Sequence, residues 1–363
     1  MNPNLQQLRA LGQSLWLDNI TRELLDSGTL AHYIDDFGLT GLTSNPTIFD
    51  EAIGGSTSYD AAIVELHARG LEGETLFLEL ALDDLRRAAD LFAPAHHESR
   101  GLDGWVSMEL SPLLASDTAS SIAAAERIHR QADRENLFVK IPGTPEGVPA
   151  IEESIFNGIP INVTLLFSAE QYQAVADAYL RGIERRIQAN RNPRVACVAS
   201  LFVSRWDKAV IDKAPSELRN RLGIAVAQRA YRAYRALLAS DRWQRLSQAG
   251  ALPQRLLWAS TSTKDPSAPD TLYVAALAAP DTIDTIPEKT LQAFADHGRV
   301  ASAMPEDGGD SDAVLQQFAK AGIDVAVLAA QLQREGAAAF VKSWQDLLQR
   351  ITDKSKTLEH AHS

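Results

Sequence analysis

Lys140 is the only lysine among the first 207 residues of this chain, a stretch that carries fifteen arginines. It stands inside an apolar run, Leu137-Phe138-Val139-Lys140-Ile141. Where arginine already supplies ordinary surface charge, an amine among Leu, Phe, Val and Ile points to chemistry that a guanidinium lacks. A desolvated ammonium group loses its proton more readily and becomes a nucleophile, whereas arginine stays charged. Lysines of this kind form Schiff bases with carbonyl substrates. The plain alternative is a strand-end lysine that snorkels to solvent.

Other apolar runs also stop at a single hydrogen-bonding or ionisable residue. The first ends in Asp18, the second leads to Asn45, and the third reaches Glu109. After Lys140 come Asn162 and Thr164, then Ser200, then Ser260. Each has a dull reading: Asp18 as a helix cap, Asn45 before Pro46 as a turn former, Ser260 as a loop residue. Together with one isolated lysine they suggest a shared pocket. A neutral Lys140 attacking a ketone gives an iminium ion, which accepts the electrons of a breaking C–C bond. Asp18 and Glu109 can divide the proton transfers, one at a substrate hydroxyl and one around the imine. Asn45 and Asn162 are suited to sugar hydroxyls. This chemistry needs neither metal nor cofactor, and none is expected.

The residues are far apart in sequence, so the elements between them must converge. Short β-type runs alternate with longer helical patterns, as in βαβ units around a parallel sheet. Eight strands are predicted, over 14–17, 38–43, 105–110, 137–141, 160–163, 195–200, 255–259 and 282–285. Helices are predicted over 75–92, 116–132, 168–190 and 324–348, with 222–248 read as an insertion or a helix pair. An α/β chain of 363 residues suits a (β/α)8 TIM-type barrel with extra helices. In that fold the C-terminal strand ends meet on one face, where active sites form. A single domain over 1–350 is expected, with a polar, disordered tail over 351–363.

Composition sets limits on the alternatives. A formal net charge of -12 argues against nucleic acid as a partner, because phosphate backbones require a basic footprint. The single cysteine, Cys197, lies in an apolar run and is read as core. There is no signal-peptide pattern and no run long enough for a membrane span, so a cytoplasmic chain is expected. GxGxxG and Walker-type loops are absent. His96-His97-Glu98 lacks the i, i+4 spacing of a zinc helix and is read as a solvated loop.

Several segments resemble the transaldolase family. They are GLTSNPTIFD (41–50), FVKIPGTPEG (138–147), INVTLLFS (161–168), ASLFVSRWD (199–207), LWASTSTKDP (257–266) and DTIPEKTL (284–291). The resemblance implies a circularly permuted barrel of the class I aldolase type. It implies transfer of a dihydroxyacetone unit from sedoheptulose 7-phosphate to glyceraldehyde 3-phosphate. Lys140 would be the Schiff-base nucleophile, and Asp18 would exchange the proton of the substrate C4 hydroxyl. Glu109 and a water held by Thr164 would act around the imine. Asn45, Asn162 and Ser200 would bind the three-carbon unit and sugar hydroxyls, and Arg205 with Ser260 the terminal phosphate. Shorter family members carry an arginine where this chain has Ser262, and Lys264 is expected to replace it. A sibling fructose-6-phosphate aldolase has Gln in place of Glu109 and Tyr in place of Phe202. An apolar Phe202 beside the imine favours transfer over hydrolysis. A barrel that binds phosphosugars without catalysis is the other alternative. Sugar phosphates are the expected partners, and the chain is expected to act as a monomer or homodimer.

Overall fold

In a computed structural model, which describes residues 1–362, eight parallel strands form one sheet in the order β2-β1-β8-β7-β6-β5-β4-β3. The strands are β1 (Ser14–Asp18), β2 (Gly41–Thr43), β3 (Val106–Glu109), β4 (Leu137–Pro142), β5 (Ile161–Leu166), β6 (Cys197–Phe202), β7 (Gln254–Ala259) and β8 (Ile283–Ile286). A parallel bridge from Gly41 to Trp105 joins β2 to the start of β3 and nearly closes the barrel. All eight predicted strands form. The run from 38 narrows to Gly41–Thr43, because Gly38 takes φ 70 and ends a helical turn.

Side chains alternate across a strand, so each strand presents every second residue to the barrel interior. At the N-terminal end those residues are apolar: Trp16, Phe138, Val198, Leu257 and Ile283 join Trp105 in one buried cluster. The Trp105 and Phe138 rings stack at 4.0 Å. Trp16 Nε1 donates to Asp103 Oδ1 at 2.8 Å and Trp105 Nε1 to the Gly101 carbonyl at 3.1 Å, so neither indole N–H is stranded. Gly41 is required here: a Cβ would come within 2.6 Å of the Trp105 carbonyl oxygen and the Trp16 ring. Two residues further along the strands stand Asp18, Lys140, Ser200 and Thr285, with Thr164 two past Asn162. The apolar floor therefore fixes the register of the polar layer above it.

Two expectations about the surrounding elements need correction. His96, His97 and Glu98 form the last turn of helix Gly73–Glu98 rather than a loop, and Pro94 lies inside that helix. His97 Nε2 is 3.0 Å and His96 Nδ1 3.6 Å from Glu135 Oε1, a residue of the segment before β4. This three-residue group could hold a metal ion, and it lies at the barrel end remote from the polar layer, where His96 packs edge-on against Trp105. The expected disordered tail instead extends the C-terminal helix Val325–His362. Ile351 and Ser355 are buried, and Lys354 Nζ donates to the carbonyls of Ile53 and Ser56. Polar composition hid an apolar face that docks on helix Pro46–Gly55. Of the two readings of 222–248, the helix pair is the one that forms: Leu222–Ala239 and Asp241–Gln248, broken at Ser240, whose Oγ accepts from Trp243 N at 3.2 Å. Among the described residues no single helix is long and apolar enough to cross a membrane.

Candidate active site

At the C-terminal end of the barrel a cavity of about 230 Å³ is lined by residues from β1, β2 and β4 to β8 with their following loops. Nine of the eleven sequence-predicted site residues line it: Asp18, Asn45, Lys140, Thr164, Ser200, Phe202, Arg205, Ser260 and Lys264. The other two, Glu109 and Asn162, lie outside this lining.

Lys140 is 6% exposed and does not snorkel. Its Nζ donates to the Ser44 carbonyl at 2.8 Å and lies 3.1 Å from Glu109 Oε2. Register explains the pairing, because Glu109 and Lys140 are direct neighbours on β3 and β4. Glu109 is 5% exposed, so it can exchange a proton with the amine while kept from bulk solvent. Burial pushes its carboxyl above the ordinary range, against the opposing pull of Lys140. Asp18 is also raised by burial, while Lys140, a hydrogen bond from Thr43, Lys264 and Arg205 pull it down. Two acids of raised pKa beside one buried amine form a proton-exchanging centre.

Asn162 is fully buried and already engaged. Its Nδ2 donates to Ser107 Oγ at 3.1 Å, and its Oδ1 accepts from Ser200 Oγ at 2.7 Å. Of that pair Ser200 meets the cavity, so Asn162 orients the hydroxyl from beneath. Asn45 caps helix Pro46–Gly55, with Oδ1 accepting from Ile48 N at 3.1 Å. Its amide group has no other partner among the described residues and lines the cavity as a donor. The capping and binding readings of Asn45 are therefore compatible. Thr164 is 1% exposed and its Oγ1 has no partner among the described residues, the situation of a hydroxyl that recruits a water or ligand.

The cations gather on one side. Arg205 has no hydrogen-bond or ion-pair partner among the described residues; the Phe202 ring lies 4.8 Å from its Cζ. Burial lowers its pKa and Asp18 opposes that shift. Lys264 Nζ donates to Ser262 Oγ at 2.5 Å, and desolvation together with repulsion from Lys208 and Arg205 lowers its pKa. Ser260 takes φ 57 and pairs its hydroxyl with Ser204 Oγ at 2.9 Å, turning the chain after β7 toward Arg205. Two unneutralised cations with three serine hydroxyls form a concave site for an anion such as a phosphate.

Sequence reasoning missed Thr43, Thr285 and Phe340 in the lining. Thr43 and Thr285 sit inside segments quoted above, at inward positions readable once the strand period is applied. Phe340 comes from the C-terminal helix, where it is one apolar residue among many.

A family model described as "Transaldolase/Fructose-6-phosphate aldolase" matches residues 15–351. The chain belongs to this family. A "Transaldolase" of Parafrankia sp. (strain EAN1pec) is 43% identical over 363 residues, covering 98% of each chain. One of Mycobacterium tuberculosis (strain CDC 1551 / Oshkosh) is 44% identical over 358 residues, covering 96% of each. Another, of Thermobifida fusca (strain YX), is 43% identical over 363 residues, covering 98% of this chain and 99% of the relative.

Proposed function

We infer that the chain is a transaldolase, moving a dihydroxyacetone unit from sedoheptulose 7-phosphate to glyceraldehyde 3-phosphate and giving erythrose 4-phosphate and fructose 6-phosphate. The observation that carries this reading is the Lys140 amine, buried and 3.1 Å from Glu109 Oε2. Its proton passes to Glu109, and the freed amine attacks the C2 ketone of the donor. Glu109, through a water on the Thr164 hydroxyl, protonates the leaving hydroxyl of the carbinolamine and yields the iminium. Asp18 then takes the C4 hydroxyl proton, the C3–C4 bond breaks, and its electrons flow into the iminium to give an enamine. The aldose leaves. The acceptor aldehyde is attacked by the enamine carbon, and Asp18 returns its proton to the new alkoxide. Hydrolysis of the iminium restores Lys140. Asn45 and Ser200 hold the three-carbon unit, with Asn162 orienting Ser200. Arg205, Lys264 and Ser260 hold the phosphate. We place this activity in the cytoplasm, in keeping with the sugar phosphates it consumes.

Fructose-6-phosphate aldolase activity shares the first half of this sequence and ends with release of dihydroxyacetone. Phe202, only 8% exposed, presents an apolar ring where a hydroxyl would help water attack, which favours the transfer reading. Borohydride trapping with fructose 6-phosphate tests the assignment. The intact protein gains a covalent mass mapping to the peptide of Lys140, and Lys140→Arg gains none. Labelling at another residue, or steady release of dihydroxyacetone without an acceptor, refutes it.

A further inference from the structure

The C-terminal helix Val325–His362 reaches the cavity along one face. Gln333 Nε2 donates to the carbonyls of Gly143 and Leu165 at 2.9 and 3.1 Å, tying the helix to the ends of β4 and β5. Leu165 takes φ 60 beside a register shift between Val163 and Leu166, so its carbonyl leaves the regular ladder and the glutamine side chain satisfies it. One turn further, a Cβ on Gly336 would lie 3.0 Å from Arg205 Nη1 and 2.9 Å from Leu165 Cδ2. The next turn places Phe340 on the cavity wall, its ring 5.9 Å from Arg205 Cζ.

Arg205 stems from helix Ser204–Val210, and its guanidinium has no polar partner among the described residues. What bounds its position is therefore the pair of rings, Phe202 and Phe340, and the bare backbone at Gly336. A guanidinium confined by apolar and aromatic surfaces keeps its donors unspent for an incoming anion.

We propose that Gly336 and Phe340 are positioning residues that hold Arg205 in the pose that grips the phosphate, so that the C-terminal helix helps set the preference for phosphorylated over unphosphorylated aldehydes. This rests on the reading above that Arg205 takes the terminal phosphate. Gly336→Ala brings a Cβ against Leu165 Cδ2 and Arg205 Nη1, so these flexible side-chain ends, rather than backbone, must give by a few tenths of an ångström. Phe340→Leu removes one of the two rings while keeping an apolar wall.

The test compares acceptor kcat/KM for glyceraldehyde 3-phosphate and for unphosphorylated glyceraldehyde, at saturating sedoheptulose 7-phosphate, with erythrose 4-phosphate release as the readout. The parent, Gly336→Ala, Phe340→Leu and Arg205→Met are measured side by side. Gly336→Ala should lower kcat/KM for the phosphorylated acceptor by roughly tenfold, mostly through KM, while glyceraldehyde changes by no more than about twofold. Phe340→Leu should shift the ratio in the same direction, and it carries the test if Gly336→Ala fails to fold. If Arg205→Met alters the ratio but both helix variants keep the parent value, or lose activity equally on both acceptors, the proposal is wrong. If Arg205→Met leaves the ratio unchanged, the phosphate assignment of Arg205 fails and takes this proposal with it.

Discussion

Asp18 and Thr43 are register partners on neighbouring parallel strands, and Thr43 Oγ1 donates to Asp18 Oδ1 at 2.8 Å. The same hydroxyl lies 2.6 Å from Thr285 Oγ1, so three strands share one polar contact at the barrel mouth. The hydrogen bond favours the charged carboxylate, while burial favours the neutral acid and is the larger effect.

This balance predicts the acidic limb of the pH profile. Asp18 must be ionised to take the C4 hydroxyl proton, so activity is present above its raised pKa and lost as pH falls through it. Thr43→Val removes the contact that favours the charge and should move the acidic limb of kcat/KM to higher pH. Asp18→Asn should lower kcat by roughly 10²–10⁴-fold while still permitting borohydride trapping at Lys140. An acidic limb unmoved in Thr43→Val would separate that limb from Asp18.

Lys264 shares the cavity with Arg205 and lies two residues after Ser262 in the loop that follows β7. Lysine binds phosphate as a point charge and gives less geometric control than a guanidinium fork. Lys264→Met should raise KM for phosphorylated substrates by roughly tenfold, about the worth of one charge-assisted contact. Lys264→Arg should restore most of that loss. Steady-state kinetics with glyceraldehyde 3-phosphate decides, and an unchanged KM in Lys264→Met removes the residue from the site.

Asp284 is fully buried on β8, in register with Leu15 and Trp258, and among the described residues its carboxyl oxygens lack a well-formed hydrogen bond, with Thr261 the hydroxyl beside them. Burial pushes its pKa up to about 8 from 3.8. The folded protein thus keeps a proton that the unfolded chain loses above about pH 4, and stability declines as pH rises through that window, up to about pH 8. Asp284→Asn mimics the protonated acid at every pH. It should be nearly neutral at pH 4 and stabilising by roughly 4 kcal/mol at pH 7, at about 1.36 kcal/mol per pH unit. Thermal melts of both proteins across this range give the comparison; parallel curves would mean that Asp284 does not change its protonation on unfolding.

Much of the site was legible because the barrel interior follows a period of two. Phe138 and Lys140, or Trp16 and Asp18, are successive inward positions on one strand, so an apolar residue followed two places later by a polar one marks both floor and site. The eight strands were legible for the same reason, as short apolar runs between helical stretches. Asn162 shows where the reading ran short. Its type and position pointed to substrate, but its bonds to Ser107 and Ser200 depend on neighbours across two strand pairs. Phe340 and Gly336 fit an ordinary amphipathic helix, and nothing local says which turn will reach Arg205. The helix past Ile351 was obscured by polar residues whose spacing still leaves Ile351 and Ser355 on one buried face. A loop reading of His96 and His97 fails because helix Gly73–Glu98 continues through Pro94, a residue type that usually marks a helix boundary.

The stacked rings of Trp105 and Phe138, with Trp16 beside them, stop up one end of the tunnel. Traffic is then confined to a single doorway. The aldose released in the first half of the reaction must back out the way it came before its successor can enter, and meanwhile the three-carbon fragment waits on the enzyme. Alternation of guests, rather than their meeting inside, is built into a vessel with a sealed base.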